Sequence, residues 1–229
     1  MPVSYLSKKA SPYLRVAAII VIAGLVIFTG VRFYSWQAFG TNTRLITLVN
    51  PWNPVSETGY SAKLTETEDG KQIDRACADA LRRMLADCRA AGNSPVLLDA
   101  YRSVDDQLVL HDARVQDLVD EGKTPEQAEA EVSRVIAAAG RSEHELGLAV
   151  DLADPSLPDE EQAGSDMHLW LRDNAWRHGF IQRYPEGKSA ATGVDYVPGH
   201  YRFVGREAAQ QIWELGLTLD EYIDLFYPE

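Results

Sequence analysis

The stretch RSEHELGLAVDL, residues 141–152, decides how this chain is read. A polar loop runs into a short apolar strand, expected over 148–152, and Gly147 relieves crowding where the two meet. Strand side chains repeat with period two, so Ala149 and Asp151 share a face, and His144 one turn earlier can meet that aspartate. One imidazole and one carboxylate are two of the three protein ligands that a catalytic zinc keeps while leaving a position open for water. The third must come from elsewhere in the chain. His200, in VPGHYRFVG (197–205), is the only other histidine in a strand-and-turn setting. On spacing alone a plainer alternative stays open, namely two loop histidines and an ordinary strand-end aspartate.

The remaining histidines, His111, His168 and His178, fall in expected helices among charges or aromatics and read as solvated or packed residues. Two cysteines, Cys77 and Cys88, lie in KQIDRACADALRRMLADCRAAG (71–92), which reads as one helix. Eleven residues at about 100° each bring both to one face, but with a rise of roughly 16 Å. A disulfide needs Cα atoms about 4.4–6.8 Å apart. The pair therefore packs in the core with Ile73, Leu81 and Met84, and no CxxC metal or redox site exists.

Further along the chain, VLLDAY (96–101) reads as a buried strand, and a weaker strand is expected at 44–49. Ser103 with Asp106 forms a capping box that opens a helix to about 120. Thr124, Pro125 and Gln127 open another, with proline at the first helical position. A helix over 165–178 stops at Gly179, strands are expected at 180–184 and 201–204, and helices at 210–215 and after the Thr218/Glu221 cap. Helices and short strands mix without a strict βαβ rhythm, so the expectation is α+β.

At 229 residues the chain has room for one catalytic domain plus an appendage, or for two small domains at most. Its net charge of −12 argues against a nucleic-acid partner, since phosphate backbones need a basic face. That charge is uneven. Residues 1–40 carry Lys8, Lys9, Arg15 and Arg32 and no acid, a local +4, which leaves −16 on the rest. The run VAAIIVIAGLVIFTGV (16–31) has no charged residue. Its length is about 24 Å as a helix, and flanking aromatics with snorkelling arginines extend it toward a ~30 Å hydrocarbon core. Basic residues before it keep the N-terminus cytoplasmic. The reading is a cytoplasmic tail (1–15), a signal anchor (16–36), a lead-in (37–60) and an extracytoplasmic domain (61–229) at the cell membrane.

Over residues 94–205 the chain resembles the VanY-type D-alanyl-D-alanine carboxypeptidases. The matching segments are YRSVDDQ (101–107), SEHELGLAVDL (142–152), NAWRHGFIQRYPEGK (174–188) and TGVDYVPGHYRFVG (192–205), and every fixed position of S-x-H-x-x-G-x-A-x-D is filled. The resemblance implies a hedgehog/DD-peptidase fold, a small antiparallel sheet flanked by helices, with Zn2+ held by His144, Asp151 and His200. It further implies that Arg102 stabilises the oxyanion and that Gln107 and Ser142 hold the terminal D-alanine or the backbone before it. The implied partner is a peptidoglycan stem peptide ending in D-alanine, cut by D,D- or L,D-carboxypeptidase action.

One segment departs from the family. Where it usually reads Glu-Pro-Trp-His, with the Glu as general base, this chain has Val197-Pro198-Gly199-His200. Losing a positioned base typically costs ~10²–10⁴ in rate. Asp195 is the candidate substitute, on the same side as Val197 if the segment is a strand. Glu186 swinging in, or a site that binds zinc and peptide without efficient turnover, are the alternatives.

Overall fold

The computed structural model describes residue 21 and residues 42–228. The expected tail and anchor fall outside these residues apart from position 21, and no helix among the described residues is long and apolar enough to cross a membrane.

The strands are Leu64–Glu66 (β1), Gln72–Asp74 (β2), Val96–Asp99 (β3), Ala149–Ala153 (β4), Phe180–Gln182 (β5) and His200–Phe203 (β6). The helices are Arg75–Ala90 (α1), Val104–Asp120 (α2), Pro125–Val132 (α3), Asp159–Gln162 (α4), Asp166–Asn174 (α5), Ser189–Thr192 (α6), Arg206–Leu215 (α7) and Leu219–Phe226 (α8). β1 and β2 pair as an antiparallel ribbon, and the other strands form an antiparallel sheet in the order β3-β4-β6-β5. The architecture is α+β, as the sequence suggests.

Alternation along the two central strands divides the sheet into an apolar and a functional face. Val150 pairs with Tyr201, and both go with Leu152 and Phe203 into the main core, against Cys77, Leu81, Met84 and Cys88 of α1. The intervening residues face the other way. Asp151 lies directly opposite His200, and Ala149 opposite Arg202, so an acid, an imidazole and a guanidinium share one side of the sheet. A register shift between Leu97 and Asp99 sets Asp99 against Asp151 on the third strand. A second apolar cluster joins Ile46, Ile181 and Val204 to Ala208, Ile212, Leu219 and Tyr222 of the C-terminal helices.

All three expected capping boxes form, at Ser103/Asp106, Thr124/Gln127 and Thr218/Glu221. Several expected elements differ. Residues 44–49 make no strand: Leu45 N–H bonds Asn42 C=O (2.8 Å), the Asn42 side chain accepts from Arg44 N–H, and Thr47 Oγ1 donates to Arg44 C=O, so local bonds replace a sheet partner. The helix expected from 71 begins at Arg75, because Asp74 caps it by accepting from Ala76 N–H (2.8 Å) while Ile73 pairs with Thr65. The helix expected to reach His178 ends at Asn174 and tightens into a 3₁₀ turn (Ala175–His178) before Gly179. The helix expected from 210 starts four residues earlier, at Arg206. Within the lead-in, Ile46, Val49 and Asn50 are buried, so residues 42–60 pack as part of the folded body.

Cys77 and Cys88 share α1, and both are buried and unpaired. Burial pushes the Cys88 thiol up to about 11, and the Cys77 thiol is raised as well, also by burial. Because the thiolate is the reactive form, the native protein at pH 8 should leave both thiols unmodified by Ellman's reagent over minutes, and denaturant should release two per chain. A thiol that reacts at once in the native state would refute this packing.

Candidate metal centre and substrate cavity

His144 is delivered by a 3₁₀ turn, Glu143–Leu146, whose N-cap Ser142 accepts from His144 N–H (3.3 Å). Gly147 ends the turn at φ 67°, and a side chain there would press on Asp74 N at 3.0 Å, so the entry into β4 requires glycine. Sheet register supplies Asp151 and His200. His200 Nδ1 lies 2.8 Å from Asp151 Oδ1, and His144 Nε2 lies 3.2 Å from Asp151 Oδ2. One ligand atom from each of His144, Asp151 and His200 falls within 4.8 Å of the other two.

The outer contacts suit a metal. His144 Nδ1 meets the Ala100 carbonyl, which can only accept, so Nδ1 carries the proton and Nε2 presents its lone pair inward. On His200, Nε2 faces Glu143 Oε2 at 3.5 Å, so Nδ1 is the nitrogen turned toward Asp151. Both imidazoles are buried, whereas the Asp151 side chain keeps 29% exposure, leaving one open corner. Two nitrogens and a carboxylate with that opening fit Zn2+.

Glu143 sits behind His200. Its Oε1 accepts from Arg183 Nε (2.7 Å) and Arg202 Nη1 (2.8 Å), and all three side chains are fully buried. Burial opposes ionisation of Glu143, but the two guanidiniums outweigh it and hold the carboxyl well below its usual range. Burial likewise opposes charge on Asp151, but His144 and His200 hold its carboxyl well below the ordinary value. For His200, burial pulls the pKa down, yet Asp151 and Glu143 prevail and raise it to about 9. Tyr184 stacks on the same ring with centroids 4.9 Å apart.

The open corner faces a cavity of about 570 Å³ lined by Arg102, Gln107, Ser142, His168, Val197 and Gly199 among others. Arg102 turns away from Asp105 and Asp106. Its Nη2 is 2.8 Å from Asp99 Oδ2 and 3.8 Å from Asp151 Oδ2. Gln107, expected to touch substrate, has its amide engaged: Oε1 accepts from Arg102 and Nε2 donates to the Ala137 carbonyl. It therefore braces the guanidinium from behind.

Asp195 stands apart from this group. Residues 195–197 form no strand, so the alternation that would align Asp195 with Val197 does not operate. The Asp195 carboxylate instead pairs with Arg134 at 2.7 Å and is not among the residues lining the cavity, nor is Glu186. Val197 does line it. At Gly199 a Cβ would come within 2.5 Å of the Leu152 carbonyl, so the strand edge is closed to any larger residue. His168, read from sequence as an ordinary helix residue, is buried against the same cavity with Nδ1 3.1 Å from Ser165 Oγ. Sequence reasoning also missed Glu143. The signal was present, an acid between two fixed motif positions with arginines at 183 and 202, but only register shows that they meet.

Residues 70–206 match the family described as VanY, D-alanyl-D-alanine carboxypeptidase. The chain belongs to that family. Its VanY-type relatives include a D-alanyl-D-alanine carboxypeptidase of Enterococcus faecalis, 38% identical over 177 residues, covering 77% of this chain and 65% of that protein. The chain thus spans less than two thirds of that relative. A solved vancomycin-resistance D,D-pentapeptidase VanY in complex with Zn(II) superposes with a TM-score of 0.72 at 37% identity, covering 79% of this chain and 99% of the other. VanYB in complex with D-alanine-D-alanine gives 0.73 at 37% identity, covering 80% and 98%.

With its pKa raised to about 9, His200 is protonated at pH 7 and must shed that proton to ligate an ion. Apparent zinc affinity should therefore strengthen about tenfold per pH unit between 7 and 8, read by chelator competition with proton release measured in parallel. A flat profile would show that His200 is not held protonated by Asp151 and Glu143.

Proposed function

We propose that this chain is a zinc D,D-carboxypeptidase that removes the terminal D-alanine from peptidoglycan stem peptides at the outer face of the cell membrane. The observation carrying this reading is the convergence of His144, Asp151 and His200 at one corner of a cavity that also presents Arg102. An ion held by these three residues supplies Lewis-acid polarisation of the scissile carbonyl and acidifies water. The chain's own groups do the rest. Arg102, held by Asp99 and Gln107 at the cavity wall, supplies a cation suited to negative charge developing on the carbonyl oxygen. The Ser142 hydroxyl lines the cavity and can bond the peptide backbone or its terminal carboxylate. Leu98, Leu110, Val135 and Ile136 give the cavity apolar walls.

Support for the membrane anchor lies in sequence alone: the uncharged run at 16–31, with basic residues before it and an acidic body after it. Full-length protein should sediment with membranes and be released by detergent but not by high salt. Release by salt alone would refute the anchor.

A second reading, a wall-binding module with impaired turnover, is favoured by one specific observation. Valine occupies the cavity-facing position at 197, and Asp195 is committed to Arg134. Incubation with a pentapeptide ending in D-Ala-D-Ala, with and without chelator, separates the two. The enzyme reading expects zinc-dependent release of D-alanine, with Val197→Glu raising kcat/KM by ~10²–10⁴. Peptide binding without release by fully metallated protein would establish the module instead, and release from the matching tetrapeptide would mark L,D-action.

A further inference from the structure

Behind the metal centre a chain of buried charges runs away from the cavity to the far end of the sequence. Asp220 lies in the first turn of α8, beyond the residues 70–206 that match the family. Its carboxylate grips Arg183 with both oxygens: Nη1 donates to Oδ2 at 2.5 Å and Nη2 to Oδ1 at 3.2 Å. Asn50 Nδ2 donates to the same Oδ1 at 2.9 Å. The remaining guanidinium nitrogen of Arg183, Nε, donates to Glu143 Oε1, and Glu143 Oε2 faces His200. Arg202 closes the other side, donating to Glu143 Oε1 and, through Nη2, to the carbonyls of Leu45 (3.1 Å) and Thr47 (2.9 Å).

We infer that Asp220 is a positioning residue for the metal centre, holding His200 in the orientation that turns Nδ1 toward Asp151 by way of Arg183 and Glu143. The inference rests on the zinc reading above. Its logic is geometric. Glu143 Oε1 is occupied by two guanidiniums, which leaves Oε2 alone to face the imidazole. The rotation of that carboxylate is set by where the two guanidiniums stand, and Arg183 stands where the two-pronged grip of Asp220 puts it. Arg183 has no exposed surface, so without Asp220 its two terminal nitrogens must seek other acceptors and pull Nε away from Glu143. His200 Nε2 then loses the carboxylate oxygen it faces at 3.5 Å, and only Asp151 and the stacked Tyr184 ring are left to hold the imidazole. Outer partners of metal-bound histidines typically carry about 10–100-fold in metal affinity. A segment outside the family match thereby becomes part of the metal centre.

The test uses the full chain, with zinc affinity measured by chelator competition and ligand geometry by the visible spectrum of the Co2+-substituted protein. Asp220→Asn keeps the shape of the side chain and removes its charge. It should weaken zinc binding up to about tenfold, the low end of the effect of direct outer partners, and shift the cobalt bands, while the metal-free protein still unfolds cooperatively. Asn50→Ala, which removes only a neutral donor to the same oxygen, should weaken zinc binding a few-fold, and it carries the test if Asp220→Asn does not fold. Glu214→Gln, an exposed carboxylate on α7, should leave zinc affinity unchanged. Wild-type affinity and an unshifted cobalt spectrum in the folded variants would overturn the inference while leaving the zinc reading intact. A wild-type chain that binds no zinc would overturn both.

Discussion

An antiparallel register places Asp151 directly across from His200, and the rest of the site depends on that pairing. Directly opposed residues in such a ladder bring their Cβ atoms to about 4.5–5.5 Å. Two side chains of opposite chemistry are thereby held close by backbone bonds alone. A slip of β6 by one residue would send His200 into the apolar core and bring Tyr201 out to replace it. The apolar face of β4 and β6 forbids that slip, because Val150, Leu152, Tyr201 and Phe203 all belong to the core cluster that also holds Cys77, Leu81, Met84 and Cys88 of α1. Hydrophobic burial on one side of the sheet thus fixes polar geometry on the other.

The same face carries an unusual load of charge for a folded interior. Glu143, Arg183 and Arg202 have no exposed surface, and Asp220 is nearly as buried. Such groups are tolerable only because each donor finds an acceptor. The carboxylates of Glu143 and Asp220 together meet most of the nitrogens of two guanidiniums, and backbone carbonyls at 45, 47 and 203 take the remainder. A buried network of this kind adds little net stability compared with apolar packing, but breaking one member is costly. Its value lies in specifying one arrangement around the imidazole of His200.

Much of this was legible in the sequence, and the reasons for the gaps are physical. The capped helices and the β4 strand follow from local chemistry, side chains that bond nearby N–H groups and period-two alternation, whereas the grouping of His144, Asp151 and His200 rests on the motif's resemblance to the family, spacing alone leaving a plainer alternative open. What escaped detection depends on distant partners. The hairpin of β1 and β2 is too short to show a pattern, and Ile73 looked helical because it continues the apolar spacing of α1. Asp195 looked like a base because a strand was assumed where the chain instead turns, and a surface arginine at 134 claims its carboxylate. Gln107 does line the cavity, but the bonds of its amide to Arg102 and to the Ala137 carbonyl, thirty residues away, could not be read locally.

The lack of room for a Cβ at Gly199 beside the Leu152 carbonyl has a consequence for redesign of the site. The two positions at which this chain leaves the family pattern are not equally reversible. The side chain at 197 faces open space in the cavity, so residues there can be exchanged back and forth with little effect on the backbone. Position 199 is different, because Leu152 N–H bonds the Gly199 carbonyl at 2.9 Å and a Cβ there would come within 2.5 Å of the Leu152 carbonyl. An acid can be placed beside the metal ligands at 197 by a single substitution, but a side chain of any size is accommodated at 199 only if the neighbouring strand moves first.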